Sequence, residues 1–252
     1  MFIKKTFTFI VLLLILSVTV HAQESVYNAF GIQQPESRWQ IGIKGGVNFS
    51  NIKNYQSYTN SDNSIRTGFH FGLVGEYHLL DNFYFEPAFL FTLKGSNSKY
   101  KYEFNEIYDP NDYMPDNPDL DTITFKGTVK DEINLYYLEV PLHFAYRITL
   151  SPNSHLDIQF GPYFAVGLFG KTRTFDTNFP NIALFSYDSF DRKRMFVRTD
   201  IGLSGGISVG FYKHYRVSVN YEHGLKGMKD DPEKYEKNPK NRNWMISAAY
   251  MF

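Results

Sequence analysis

Four histidines are the residues of this chain whose possible chemistry is easiest to state. His70, His78, His143 and His223 could each act as a general base beside a serine or a carboxylate, as in enzymes that acylate or deacylate lipids. No serine stands out at a nucleophile's spacing, and the chain has no cysteine. Histidines among polar side chains more often join a hydrogen-bond network. We therefore predict no catalytic residue, and lipid modification is the least favoured alternative.

A run of aspartates is the second candidate for chemistry. Asp109, Asp112, Asp116, Asp119 and Asp121 lie among Pro and Asn residues, which suggests calcium. The run lacks the Gly and the closing Glu of a calcium-binding loop. It predicts a solvated acidic surface loop, and cation binding there is left open. We predict no metal site and no cofactor.

The last ten residues indicate the kind of element that positions such groups. Trp244, Ile246, Ala248, Tyr250 and Phe252 occupy every second position, with an aromatic residue at each end. A tilted strand of about ten residues with one apolar face and aromatic rims can cross a bilayer. This pattern predicts a membrane-spanning β-strand.

Seven upstream segments show the same period of two. In each, apolar residues share one face and polar residues share the other. The segments are 39–49, 69–79, 83–93, 136–147, 156–168, 198–211 and 215–222. With the closing strand they predict an all-β fold, an eight-stranded antiparallel up-and-down transmembrane β-barrel.

The connections between these strands alternate in length. Short links at 80–82, 149–154 and 212–214 alternate with long polar stretches at 50–67, 95–133, 171–196 and 225–242. Bacterial outer-membrane barrels have short periplasmic turns and long outer loops. We therefore expect both termini on the periplasmic side. A soluble lipocalin-like barrel has the same period of two, but its pattern does not require this alternation of loops.

The first 22 residues are typical of a secretory signal peptide. Lys4 and Lys5 precede an apolar run, and Val20-His21-Ala22 precede the expected cleavage point. Residues 23–38 are interpreted as a periplasmic lead-in, and 39–252 as the barrel domain. Removing the signal takes two lysines from a chain with 26 basic and 26 acidic residues, so no basic excess suggests nucleic acid. The 24 Phe and 19 Tyr in a chain of mean hydropathy −0.34 are typical of a membrane barrel.

The inward faces carry charged side chains that an eight-stranded barrel must bury. Such a barrel is only wide enough for its own side chains, so these charges must pair. The predicted interior polar network consists of the acids Glu76, Glu86, Glu139, Asp157, Asp200 and Glu222 and the bases Lys44, Arg147, Arg198 and Arg216. We expect a packed interior rather than an open channel, and β-bulges or local widening beside Pro87, Pro141 and Pro162.

Several motifs resemble one family of outer-membrane barrels. They are Ile41-Gly42-Ile43-Lys44-Gly45-Gly46-Val47-Asn48-Phe49-Ser50, Tyr137-Leu138-Glu139-Val140-Pro141-Leu142, Gly202 to Gly210, and Tyr221-Glu222-His223-Gly224-Leu225. They look like the PorT-type outer-membrane β-barrel family of Bacteroidota. The resemblance implies insertion by the outer-membrane assembly machinery, with Phe252 as the C-terminal assembly signal. It also implies a possible accessory role in type IX secretion and gliding.

These observations predict a non-enzymatic integral outer-membrane protein that acts through its loops or its periplasmic rim. The expected partners are outer-membrane lipid, the assembly machinery and other cell-envelope or secretion-complex proteins. A small-solute pore remains an alternative.

Overall fold

The computed structural model describes residues 38–53, 62–108, 121–176, 183–191, 196–212, 214–229 and 238–252, with backbone alone at 62, 104–108 and 121–125. The predicted signal peptide, most of the lead-in and residues 109–120 of the acidic loop lie outside this part. None of the described residues belongs to a helix long and apolar enough to span a bilayer.

Ten strands make up the described chain. Their bounds are β1 Trp39–Lys53, β2 Asp62–Ser64, β3 Arg66–Leu80, β4 Phe83–Tyr108, β5 Asp121–Ser151, β6 Ser154–Asp176, β7 Ala183–Asp188, β8 Thr199–Phe211, β9 Tyr215–Gly224 and β10 Lys240–Met251.

Eight of these strands close into a ring. The hydrogen-bonded order runs β4-β3-β1-β10-β9-β8-β6-β5, and β5 pairs back to β4. Every pairing is antiparallel, and neighbours in the ring are consecutive long strands of the chain except β1 and β10, the first and the last, which pair to close it. The prediction of an eight-stranded antiparallel up-and-down barrel is confirmed. The short strands β2 and β7 lie outside the ring, on β4 and β6.

Side chains alternate across the barrel wall as the period of two predicts. Outward residues are large, apolar and exposed, such as Phe71 at 56% and Phe160 at 60%. Inward residues on the same strands are polar and buried, such as His70 and Asp157. An exposed apolar outer surface around a polar interior suits a wall that faces hydrocarbon.

The two ends of the barrel differ in the length of their connections. At the short-turn end, neighbouring strands are joined by tight links such as Asp81-Asn82 and Pro152-Asn153. Asp81 and Tyr212 have positive φ angles of 34° and 51° there, as tight turns often require. At the long-loop end, β4, β5 and β6 continue well past the other strands, with 26, 31 and 23 residues against 10 in β9.

The prolines interrupt hydrogen bonding without shifting the register. The ladder between each proline's strand and the long strand before it in the chain lacks two residue pairs at the proline and then resumes in the same register. This holds for Pro87 in β4, Pro141 in β5 and Pro162 in β6. A proline has no N–H to donate, so the interruption on one side is expected. Of the two predicted irregularities, β-bulges are not found at these prolines, whereas the missing residue pairs agree with local widening of the ladder. The register shifts of the described ladders lie elsewhere, for example between Tyr136 and Tyr137.

Candidate functional site

The barrel interior at the short-turn end contains a network of two arginines and three carboxylates. Arg147 lies 2.6 Å from Glu76 (Nη2 to Oε2) and 2.8 Å from Asp157 (Nε to Oδ1). Arg216 also pairs with Glu76, and its Nη1 lies 3.3 Å from Oε1 of Glu86. We call these five residues the short-turn network. Because two guanidinium groups share three acids, each charge has an opposite neighbour, as buried charges require.

The short-turn acids are close enough together to suggest a cation site. Carboxylate oxygens of Glu76, Glu86 and Asp157 lie within 4.8 Å of one another. However, Arg147 and Arg216 already supply positive charge to all three. The arrangement is a set of ion pairs and does not indicate a metal centre.

A second network lies toward the long-loop end and is centred on Lys94. Its Nζ lies 2.7 Å from Oε2 of Glu222 and also pairs with Glu139, and all three side chains are at most 1% exposed. Asn243 donates to Glu222 over 3.0 Å, and the ring of Tyr163 lies 4.5 Å from the ammonium group. We call Lys94, Glu139, Glu222 and Asn243 the Lys94 network.

Lys94 is absent from the predicted network, and the predicted inward position of Arg198 is wrong. The predicted third strand ends at Leu93, although Glu86, Thr92 and Lys94 share one face by the period of two. Arg198 lies exposed just before β8, not in the interior. Its Nη1 donates to the carbonyls of Gly167 (3.1 Å) and Leu168 (2.7 Å), and its guanidinium group lies 5.1 Å from the centroid of the Phe190 ring, so the side chain lies at the long-loop rim.

Two other predicted residues lie inside the wall apart from the ion pairs. Asp200 accepts hydrogen bonds from Asn241 (2.8 Å) and Tyr163 (3.2 Å). Lys44 lies half-buried on the inner face of β1, where the charges of both Glu86 and Glu222 act on it. Glu86 belongs to the short-turn network and Glu222 to the Lys94 network, so Lys44 interacts with a carboxylate of each network.

The histidines divide between the interior and the two rims. His70 bonds to Oδ1 of Asn48 through Nδ1 (2.7 Å) and to Oγ of Ser247 through Nε2 (2.8 Å). His143 lies 2.9 Å from Oγ of Ser204. His78 lies at the short-turn end on the carbonyl of Asp81, and His223 lies at the long-loop end on the outward face of β9.

The row Ser247, His70 and Asn48 has the hydrogen-bond order of a nucleophile, a base and an orienting group. All three residues are at most 3% exposed. The Nδ2 of Asn48 donates within the wall, to Thr92 and to the backbone of Phe69 and Leu93. The row can therefore polarise the Ser247 hydroxyl, but it offers no open approach to a substrate.

Apolar side chains close the interior above the Lys94 network. Phe190 and Phe196 come from the β7–β8 connection, and Met228 comes from the β9–β10 connection. They pack with buried residues of the wall, namely Ile52, Ile133, Leu135, Tyr137, Tyr163 and Ala165. Phe190 fits here because Gly167 has no side chain, and a Cβ at that position would lie 2.4 Å from the ring. We call this group the apolar cap.

The C-terminal residue closes the last strand against the first. The backbone N–H of Phe252 donates to the carbonyl of Ile41 over 2.8 Å, and Nε2 of Gln40 donates to the Phe252 carbonyl over 3.3 Å. The Phe252 side chain is 67% exposed on the outward face. It is therefore accessible at the short-turn end.

Comparison with known proteins identifies the family. A sequence model of the outer membrane protein beta-barrel domain matches residues 22–230. The chain belongs to this family. It is thus an outer-membrane β-barrel protein of bacteria, surrounded by lipid. A comparison with curated protein sequences finds no match.

Solved outer-membrane proteins are also similar in part. Ail of Yersinia pestis, solved in complex with the heparin analogue sucrose octasulfate, is 15% identical, with 86% of this chain and 100% of Ail covered and a TM-score of 0.37. Neisserial surface protein A is 12% identical, with 84% and 97% covered and a TM-score of 0.38. OprG of Pseudomonas aeruginosa is 16% identical, with 84% and 95% covered and a TM-score of 0.34.

Proposed function

We propose that this protein is a sealed, non-enzymatic barrel that anchors a rigid β-sheet outside the membrane for binding another cell-envelope protein. The observation that carries this proposal is the continuation of β4, β5 and β6 beyond the barrel. Asp121 to Leu135 of β5 alone spans 15 residues, which is about 50 Å of strand at about 3.3 Å per residue.

The interior supports the sealed state. The short-turn network, the Lys94 network and the apolar cap lie at successive levels of the same barrel. An eight-stranded barrel leaves space only for its own side chains. A small-solute pore would need all three levels to open.

The projecting sheet is built as an ordered element. From Lys99 opposite Lys130 to Tyr108 opposite Asp121, β4 and β5 pair without a register shift, and β2 and β7 add to its two sides. Tyr102 crosses Gly127 to donate to Asp176 over 3.0 Å, where a Cβ on residue 127 would lie 2.2 Å from the ring. Paired strands of this length present a fixed surface, which favours recognition of a protein partner.

The proposed orientation follows the family's architecture. The long-loop end faces outward, and both termini lie in the periplasm after removal of the signal peptide at 1–22, with 23–38 as the lead-in. Phe252 acts as the signal for the assembly machinery, consistent with its exposed ring. Membership of the PorT-type branch in Bacteroidota, and an accessory role in type IX secretion, are finer proposals that rest on the motifs quoted above.

Shortening the projecting sheet tests the function. Joining Lys99 to Lys130, which face each other in the ladder, through an Asn-Gly turn removes residues 100–129 and leaves the barrel strands intact. We expect the shortened protein to fold and to lose a partner that crosslinks to the full-length protein in native membranes. A partner retained at full yield, or the absence of any partner of the full-length protein, contradicts the proposal.

Conductance separates the sealed barrel from the pore. The refolded full-length protein should leave a planar bilayer without discrete conductance steps. Stable ion-conducting steps that change in size with Lys94→Met would favour the pore instead.

The row Ser247, His70 and Asn48 supports acyl transfer as a second candidate. A fluorophosphonate probe and ester hydrolysis in proteoliposomes test it directly. We expect equal background for the wild type and Ser247→Ala. Labelling and turnover that disappear in both Ser247→Ala and His70→Ala would support the enzyme, and His143→Ala and His223→Ala serve as controls.

A further inference from the structure

Basic side chains gather on the outer surface of the barrel at the long-loop end. Lys53 of β1 lies opposite Lys240 of β10, and Arg242 of β10 lies opposite His223 of β9. All four residues point outward, and the positive charges of the other three act on His223. We call these four residues the rim cluster.

The rim cluster lies directly above an aromatic girdle. Trp244 and Tyr221, one outward position closer to the membrane on β10 and β9, have ring centroids 4.8 Å apart, and Phe49 lies opposite Trp244. Such aromatic pairs mark the level where hydrocarbon gives way to headgroups. The bases are therefore at headgroup height on a surface that faces lipid.

The rim cluster has no acidic partner among the described residues. The outward positions of β1, β9 and β10 carry no carboxylate, and no ion pair joins Lys53, Lys240 or Arg242 to one. Arg242 uses Nη1 for the carbonyls of Gly224 (3.1 Å) and Asn241 (3.2 Å), which fixes its guanidinium group, and within the described part of the chain Nη2 and Nε have no acceptor.

The projecting sheet on the opposite side of the barrel shows a different arrangement. On the outer face of β4 and β5, Lys126 lies 2.9 Å from Glu103, and Lys130 lies 2.6 Å from Glu132. Arg173 of β6 also lies opposite Glu132 in the ladder. Lys126 and Lys130 thus form ion pairs here and Arg173 has an acidic ladder neighbour, so the rim cluster's lack of acids among the described residues is a local feature.

We propose that the rim cluster binds the phosphate groups of an anionic lipid headgroup. Phosphate oxygens match both a fixed guanidinium and point-like ammonium groups. The lipid's acyl chains would lie along the apolar wall below, over Trp244 and Ile246. Bases clustered at headgroup level are an established means of attracting anionic lipid.

The experiment measures lipid retention by native mass spectrometry on the full-length mature protein in detergent. The probe is lipid A, mixed with an equal amount of phosphatidylcholine. The test variant is K53Q/K240Q/R242Q, and the matched control is K126Q/K130Q/R173Q, which also removes three outward bases. Heat-dependent migration on gels verifies that each barrel is folded.

We expect wild type and control to retain lipid A over phosphatidylcholine, and the test variant to lose about tenfold or more of this retention. Equal retention by the test variant and the control overturns the proposal, as does equal retention of the two lipids. Displacement of lipid A by inorganic phosphate at matched phosphate concentration also overturns it, because the site would then bind a free anion. If the triple variant does not fold, K53Q at the exposed strand end replaces it, with a smaller loss expected and no loss overturning the proposal.

Discussion

Strand β5 has opposite polarity patterns in its two halves. Between Leu138 and Arg147, inward residues such as Glu139 and His143 are polar, and outward residues such as Val140 and Phe144 are apolar. Between Val129 and Leu135, three of the four inward residues, Val129, Ile133 and Leu135, are apolar, and the fourth, Asp131, accepts a hydrogen bond from Thr174, whereas the outward residues Lys130, Glu132 and Asn134 are polar.

The reversal follows from a change of solvent outside the wall. An outward side chain in the first half faces hydrocarbon, and one in the second half faces water, while the backbone keeps the same alternation of faces. The level of Tyr136, which stacks on Phe169 with 4.5 Å between ring centroids, is therefore the membrane boundary on this strand. Four predictions test this comparison.

The largest effect is expected inside the membrane half. Lys94→Met removes the cation between Glu139 and Glu222 and leaves two buried carboxylates together, which should lower the free energy of unfolding by about 3–5 kcal/mol. Urea titration of the protein refolded into liposomes measures it. Adding Glu139→Gln and Glu222→Gln should restore part of the loss, since the carboxylates are then neutral. A loss below about 1 kcal/mol for Lys94→Met contradicts a buried ionic network.

The second prediction places one substitution on each side of the boundary. Phe144→Arg puts a charge against hydrocarbon near the middle of the wall and should cost about 2–4 kcal/mol. Asn134→Arg, outward on the same strand above Tyr136, should change stability by about 0.5 kcal/mol or less. The same urea titration compares them. Equal costs would mean that the boundary is not at Tyr136.

The third prediction concerns the apolar inner side of the extension. Ile133 is fully buried in the apolar cap, so Ile133→Ala should cost about 2 kcal/mol through lost burial and a residual cavity. Ile207→Ala is the control, because Ile207 is 51% exposed on the outward face and lipid can fill the space. If Ile133→Ala lowered the free energy of unfolding as little as Ile207→Ala does, the inner side of the extension would not be a packed core.

The same reversal explains what the sequence could and could not reveal. Eight strands and the inward position of Glu139 were predictable because one phase of alternation holds throughout the membrane. The third predicted strand stops at Leu93 and the fourth begins at Tyr136 because the outward face is polar beyond these residues, and a rule that requires an apolar outer face stops at that point. The runs at 99–104 and 122–129 alternate in sequence, and the structure pairs them within β4 and β5.

The distribution of partners within the interior was not predictable from the alternation. The period of two assigns each side chain to one face of the wall but does not give its level along the barrel axis. It therefore could not show that Arg147 pairs with Glu76 and that Lys94 pairs with Glu222. The apolar cap was also missed, because Phe190 and Met228 belong to connections with no regular period. Its only signal was the presence of large apolar residues in otherwise polar loops.

The smallest effect is expected at the outer part of the extension, where the Tyr102 hydroxyl donates to the carboxylate of Asp176. The hydrogen bond to Asp176 raises the pKa of the Tyr102 hydroxyl, since the carboxylate favours the protonated phenol. A raised pKa in the folded state means that this bond stabilises the fold below the ordinary tyrosine pKa, and that the stabilisation is lost as pH rises through the raised value. The difference absorbance between wild type and Tyr102→Phe, followed as a function of pH, isolates this phenol. Asp176→Asn should move the titration of the Tyr102 phenol to lower pH. An unchanged titration would show that the hydrogen bond between Tyr102 of β4 and Asp176 of β6, which crosses Gly127 of β5, does not form in solution.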